Sequence, residues 1–165
     1  MTIRAVLCDV EGTTTDIAFV HDVLFPLSRD RMDAFVRDHW SDPLIKQIEG
    51  SPEETAETLK RWILEDRKET ILKSIQGKIW REAFESGELK GHVYEDVPLQ
   101  WRTWRQFGIR IYIYSSGSAE AQRLLFHYST AFLIISFSDP MYHVLLLQST
   151  QGLHILLHPL RYARL

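Results

Sequence analysis

An α/β fold with a parallel sheet and an inserted helical block is predicted by three observations. A short apolar run, Ala5-Val6-Leu7-Cys8, ends abruptly in Asp9-Val10-Glu11-Gly12-Thr13. A second run, Ile109-Arg110-Ile111-Tyr112-Ile113-Tyr114, is β-branched or aromatic apart from Arg110 and ends in Ser115-Ser116-Gly117-Ser118. Between them, residues 19–87 repeat apolar side chains at helical spacing and hold no strand candidate.

The first run, Ile3 to Cys8, reads as a fully buried strand, being short, continuous and rich in branched residues. In an extended chain residues i and i+2 share a side, so Asp9 and Glu11 can project together past the strand's end. Gly12 lets the chain turn away sharply there. The carboxyl ends of strands are where an open α/β sheet keeps its ligand crevice. Two carboxylates at that place can hold Mg2+, or divide the work of nucleophile and general acid. A solvated polar turn has the same composition, and the pair alone does not decide between them.

The helical block opens with Val20, Val23, Leu24 and Leu27, then Met32, Phe35 and Val36, with a kink or break expected at Pro26. Asp42-Pro43 and Glu49-Gly50 are loop signals. Ser51-Pro52-Glu53-Glu54 is a helix start with Pro at the first position, continued by Leu59, Trp62 and Ile63. A further stripe, Ile71, Leu72, Ile75, Ile79 and Ala83, runs to a stop at Ser86-Gly87. Such a block after the first strand is either a lid over the acidic turn or a helical layer against the sheet, and periodicity serves both.

Gly91-His92-Val93-Tyr94 begins a connector, and a short helix with Trp101 and Trp104 leads to Gly108 and the second strand. Beyond that strand Ser118 is a natural N-cap, with Glu120 in the first turn and Ala121, Leu124, Leu125 and Tyr128 as the core face. Strand, Ser/Gly turn and helix N-terminus together bring hydroxyls and backbone N–H groups to one place, which suits an anion. An ordinary connection with a serine cap has the same sequence.

The 165 residues suffice for one domain, or one with an inserted cap. A net charge of −3 and the lack of a basic, aromatic-interleaved stripe argue against nucleic-acid binding. Cys8 is the single cysteine and, inside an apolar run, reads as a small buried hydrophobe. No signal peptide opens the chain, so the cytoplasm is the expected compartment, with no membrane partner and a monomeric state.

Asp-x-Glu-Gly-Thr, at Asp9 to Thr13, resembles the first motif of the haloacid dehalogenase (HAD) superfamily, with Glu in the second acidic place. The form Asp-x-Glu-Gly-Thr-Thr is similar to the enolase-phosphatases of methionine salvage. So are Phe19-Val20-His21-Asp22-Val23-Leu24-Phe25-Pro26, Glu65-Asp66-Arg67-Lys68 and Leu72-Lys73-Ser74-Ile75-Gln76-Gly77-Lys78-Ile79-Trp80-Arg81. Tyr112-Ile113-Tyr114-Ser115-Ser116-Gly117-Ser118 and Ala121-Gln122-Arg123-Leu124-Leu125-Phe126 complete a resemblance that covers residues 1–130. It implies a Rossmann-like HAD core (1–18 and 91–130) with a helical cap (19–90), and a Mg2+-dependent phosphoric monoester hydrolase. The implied substrate is a small phosphorylated metabolite, 2,3-diketo-5-methylthiopentyl-1-phosphate, enolised and then dephosphorylated. Asp9 would be nucleophile and metal ligand, Glu11 acid–base and metal ligand, and Ser115 and Ser116 would bind the phosphate. The alternatives are another HAD small-metabolite phosphatase, or a catalytically silent member that only binds phosphate and Mg2+.

After Thr130 the resemblance stops. The family's third motif supplies a Lys, yet no Lys follows Lys90. Only Asp139, Arg161 and Arg164 are charged beyond Thr130. Residues 131–165 are expected to be a divergent tail, leaving the C-terminal part of the core missing or aberrant. Phe132 to Asp139 has the look of a fourth-motif strand ending in an acid, but it arrives too early; Asp139 is either a metal ligand or a loop acid before Pro140.

Overall fold

The structure, a computed structural model, describes residues 3–115, 117–129, 142–146 and 156–157. The chain divides into two compact units, one formed by Met1–Ile17 with Lys90–Leu165 and the other by Ala18–Leu89.

The first unit is built on a sheet of strands β1 (Ala5–Asp9), β2 (Arg110–Ser115), β3 (Tyr142–Leu146) and β4 (Leu156–Leu157), in that spatial order. β1, β2 and β3 run parallel, and the short β4 pairs antiparallel with β3. β3 and β4 lie in the segment expected to be a divergent tail. The β1–β2 register sets Cys8 beside Ile113 and Asp9 beside Tyr114, so β2 runs one residue past the end of β1. Two helices accompany them, α4 (Asp96–Gln106) before β2 and α5 (Ala119–His127) after it. Ile111, Ile113, Trp101 and Phe126 are buried, and the Trp101 and Phe126 rings meet at 5.6 Å. The arrangement is α/β, as the strand and helix signals require.

β1 is not the fully buried strand that its composition suggests. Cys8 is buried, whereas Leu7 is 58% and Ile3 65% exposed. Ala5, Leu7 and Asp9 share the exposed face, and Val6 and Cys8 share the other with Ile111 and Ile113. β1 is also the first strand in the sheet's order, with β2 alone beside it among the described residues. A branched-rich run records apolar character, not how many faces of a strand are covered.

The second unit is helical throughout its regular structure. A π-helical turn at Phe19–Leu24 runs directly into α1 (Phe25–Asp38). Pro26 therefore changes the helix pitch instead of breaking the chain. It lies in the first turn of α1, where its missing N–H costs least, and the wider turn precedes it. α2 (Pro52–Leu64) begins with a capping box: the Glu54 amide donates to Ser51 Oγ at 3.2 Å, and the Ser51 amide to Glu54 Oε2 at 2.8 Å. α3 (Thr70–Glu85) ends at Ser86, and Gly87 follows at φ +77°, a left-handed conformation that glycine takes without strain. Met32, Phe35, Val36, Leu59, Ile75 and Ile79 form the centre of this unit's core. Two polar contacts are buried with it, Trp80 Nε1–H to the Leu24 carbonyl at 2.8 Å and Gln76 Nε2–H to Ser28 Oγ at 3.4 Å.

Candidate active site

The turn after β1 is wound around one carbonyl. The Val10 oxygen accepts the backbone N–H groups of Thr13, Thr14 and Thr15 at 3.3, 3.0 and 3.0 Å, and the Thr14 hydroxyl at 3.3 Å. Gly12 donates its N–H back to the Thr15 carbonyl at 2.8 Å, and its φ of +78° is the reason a glycine stands there. Glu11 and Thr15 are thereby bridged.

At the neighbouring strand end, Ser115 Oγ donates to Glu11 Oε1 at 2.7 Å and accepts the Gly117 N–H at 2.9 Å. Ser115 is 1% exposed, so its hydroxyl has been withdrawn from solvent into this pair of bonds. Gly117 leaves the room: a Cβ there would lie 3.2 Å from Ser115 Oγ and 3.6 Å from Glu11 Oε1. Ser118 then caps α5, its Oγ accepting the Ala121 N–H at 3.1 Å.

Of the residues singled out in the sequence, Glu11 and Ser115 are in direct contact. Asp9 is exposed at the last position of β1, one register place before Ser115 across the ladder. Ser116 and Asp139 lie outside the described residues. Two hard carboxylates at one strand end are a donor set suited to Mg2+, which commonly takes one or two protein carboxylates and completes its shell with water and phosphate oxygens. Among the described residues no group of three or more His, Cys, Asp or Glu side chains gathers as a metal site. Cys8 stays outside this chemistry; burial raises its thiol above the usual range, and a hydrogen bond with Trp101 offsets only part of that.

One residue carries no signal in the sequence. His92, in the connector, takes two donors on Nδ1, the Thr15 hydroxyl and the Asp16 backbone N–H, both at 3.1 Å. Tyr94 N–H donates to the Thr14 carbonyl at 3.1 Å, and the His92 and Tyr94 rings meet edge-on at 5.2 Å. A histidine between a glycine and a valine gives no local hint of such a contact, because its partners are 76 and 77 positions away.

No family model matches the chain. Among curated proteins it is 48% identical over 140 residues to "Enolase-phosphatase E1" of Pectobacterium carotovorum, covering 78% of this chain and 61% of that one. It is 45% identical over 140 residues to the protein of the same name from Hahella chejuensis, covering 78% and 60%. Among solved structures it resembles the UTR4 protein of Saccharomyces cerevisiae, with a TM-score of 0.67 and 31% identity, covering 84% of this chain and 59% of that one. The chain spans about three-fifths of the length of the curated relatives it matches.

Proposed function

We propose that this chain, which resembles enolase-phosphatase E1 over 78% of its length, carries the phosphoryl-transfer half-site of a Mg2+-dependent phosphohydrolase in methionine salvage. Its substrate is 2,3-diketo-5-methylthiopentyl-1-phosphate, enolised and dephosphorylated to 1,2-dihydroxy-3-keto-methylthiopentene. The observation that carries this reading is the Glu11–Ser115 hydrogen bond, which joins an acidic turn and a Ser/Gly turn at the ends of adjacent parallel strands.

In this reading an Asp9 carboxylate oxygen bonds to phosphorus as the bond to the leaving oxygen breaks. Glu11 gives that oxygen its proton. Glu11 then takes a proton from water, which attacks the aspartyl phosphate and frees both phosphate and Asp9. General acid–base help of this kind is worth about 10²–10⁴ in rate. Asp9 and Glu11 would hold Mg2+, which when bound offsets the repulsion between carboxylate and phosphate. Ser115 orients Glu11, and it reaches phosphate only by giving up that bond. Ser116 and the backbone N–H groups at the start of α5 are the remaining phosphate donors.

The experiment is phosphate release from the diketo substrate in Mg2+, comparing this chain with Asp9→Asn and a simple aryl phosphate. Turnover that Asp9→Asn abolishes, with the diketo compound preferred, supports the reading; equal turnover in Asp9→Asn overturns it. A second reading rests on the lack of any Lys in residues 91–165. Here the chain binds phosphate and Mg2+ without turning over. Calorimetric binding in the absence of released phosphate selects that reading.

A further inference from the structure

We propose that His92 is a positioning residue for the acidic turn. Through Thr15 and Asp16 it keeps Glu11 in place beside Ser115. The purpose of the turn is taken from the phosphoryl-transfer reading; the tie itself is geometric.

The backbone N–H of Asp16 can only donate, so the Nδ1 it meets at 3.1 Å must present a lone pair. The ring is therefore not protonated at Nδ1, and the Thr15 hydroxyl at 3.1 Å shares the same acceptor. Thr15 is fully buried, and its carbonyl holds the Gly12 N–H while Glu11 bridges to it. One side chain thus pins the far end of the loop whose near end carries Glu11. The connector supplying that side chain is anchored in turn. Gly91 donates its N–H to the Tyr128 carbonyl at 3.0 Å, just beyond the end of α5, and bridges to Ser129. The N-terminus of the same helix follows Gly117, whose N–H donates to Ser115 Oγ, so both sides of the Glu11–Ser115 bond lead to α5. Asp16 and His92 also flank the two places, Ile17/Ala18 and Leu89/Lys90, where the chain passes between its units.

The geometry predicts which substitutes work. Asn places an amide oxygen close to where Nδ1 stands and can accept the same two bonds. Gln carries its polar group one atom further out, and Phe keeps the ring without an acceptor. The test is nuclear magnetic resonance of the full chain at neutral pH, without reference to turnover. His92 Nδ1 should show the 15N shift of an unprotonated nitrogen. His92→Phe should move the amide signals of Glu11, Gly12 and Gly117 as well as those of Thr15 and Asp16, and His92→Asn should restore them. In Mg2+ assays of an active chain, His92→Phe should lower kcat on the order of ten- to a hundredfold with KM little changed, the scale of a small misplacement of reacting groups. A protonated Nδ1, or signal changes confined to Thr15 and Asp16, overturns the proposal. Equal behaviour of the Phe and Asn variants does so too. A chain without turnover defeats the phosphoryl-transfer reading and leaves the resonance measurements to decide the tie.

Discussion

Ser115 Oγ donates to Glu11 Oε1 at 2.7 Å across 104 positions of sequence, while accepting the Gly117 N–H at 2.9 Å. The Gly117 amide can only donate to Ser115 Oγ, so the hydroxyl's own proton goes to the Glu11 carboxylate oxygen. A hydrogen bond to a charged group contributes about 1.5–3 kcal/mol. On the proposed phosphoryl-transfer reading, Ser115→Ala is therefore expected to lower kcat about ten- to a hundredfold in a Mg2+-supported phosphatase assay. Ser115→Thr, which keeps the hydroxyl, should retain most of the rate. Equal loss in both variants would mean that volume, not the proton, matters at this position.

Gly91 is a position where a methyl group has nowhere to go. A Cβ added there would collide with the Leu125 carbonyl oxygen and lie 3.1 Å from Ser129 Cβ. Backbone atoms cannot step aside as a flexible side chain does, so Gly91→Ala must displace the connector from α5. The expected loss is about 3 kcal/mol, at the upper end for overpacking, read from the urea midpoint. Gly77→Ala is the control, since a methyl group there would meet nothing within 4 Å; inside a helix it should stabilise by roughly 0.5–1 kcal/mol.

Asp42 is held ionised in the helical unit. The Lys78 ammonium bonds its carboxylate and the Leu44 N–H donates to it at 2.9 Å, and together they lower its pKa below the ordinary carboxylate range. A group with a depressed folded-state value contributes stability that is complete above its unfolded value, roughly 4. The contribution is lost as pH falls through the lower, folded value. Asp42→Asn should therefore weaken the protein at neutral pH and flatten the acid side of a plot of urea midpoint against pH. Lys60 works in the opposite sense. Bonds to Glu57 and Asp33 raise its pKa, so its contribution is present below the unfolded value and fades as pH rises through the folded one.

The elements that sequence conveyed best are those whose causes are local. The start of α2 follows from Ser51, Pro52 and Glu54, close neighbours whose side chains and backbone satisfy one another. Of the stripe Ile71, Leu72, Ile75, Ile79 and Ala83, all but the half-buried Ile71 are buried, because helical spacing alone puts those residues on one face. The acidic turn and the serine turn were visible for the same reason. What pattern could not carry was any relation whose partners are far apart in the chain. His92 with Thr15, and Ser115 spending its hydroxyl on Glu11, depend on how strands and connector come together. Pro26 signals a kink or break; the chain stays helical there, with a wider turn just before it.

On β1, composition and environment part company. Leu7 and Cys8 are neighbours in an apolar run, yet Leu7 is 58% exposed and Cys8 is buried against the side of the sheet that holds Ile111 and Ile113. Leu7→Ala removes side-chain surface that is mostly wet already. It should change stability by no more than about 0.5 kcal/mol. Ile113→Ala, across the ladder from Cys8, opens a cavity among fully buried neighbours and should cost about 2–5 kcal/mol. Urea unfolding of the two variants under identical conditions measures the difference. A Leu7→Ala loss as large as that of Ile113→Ala would mean that the outer face of β1 is covered in solution.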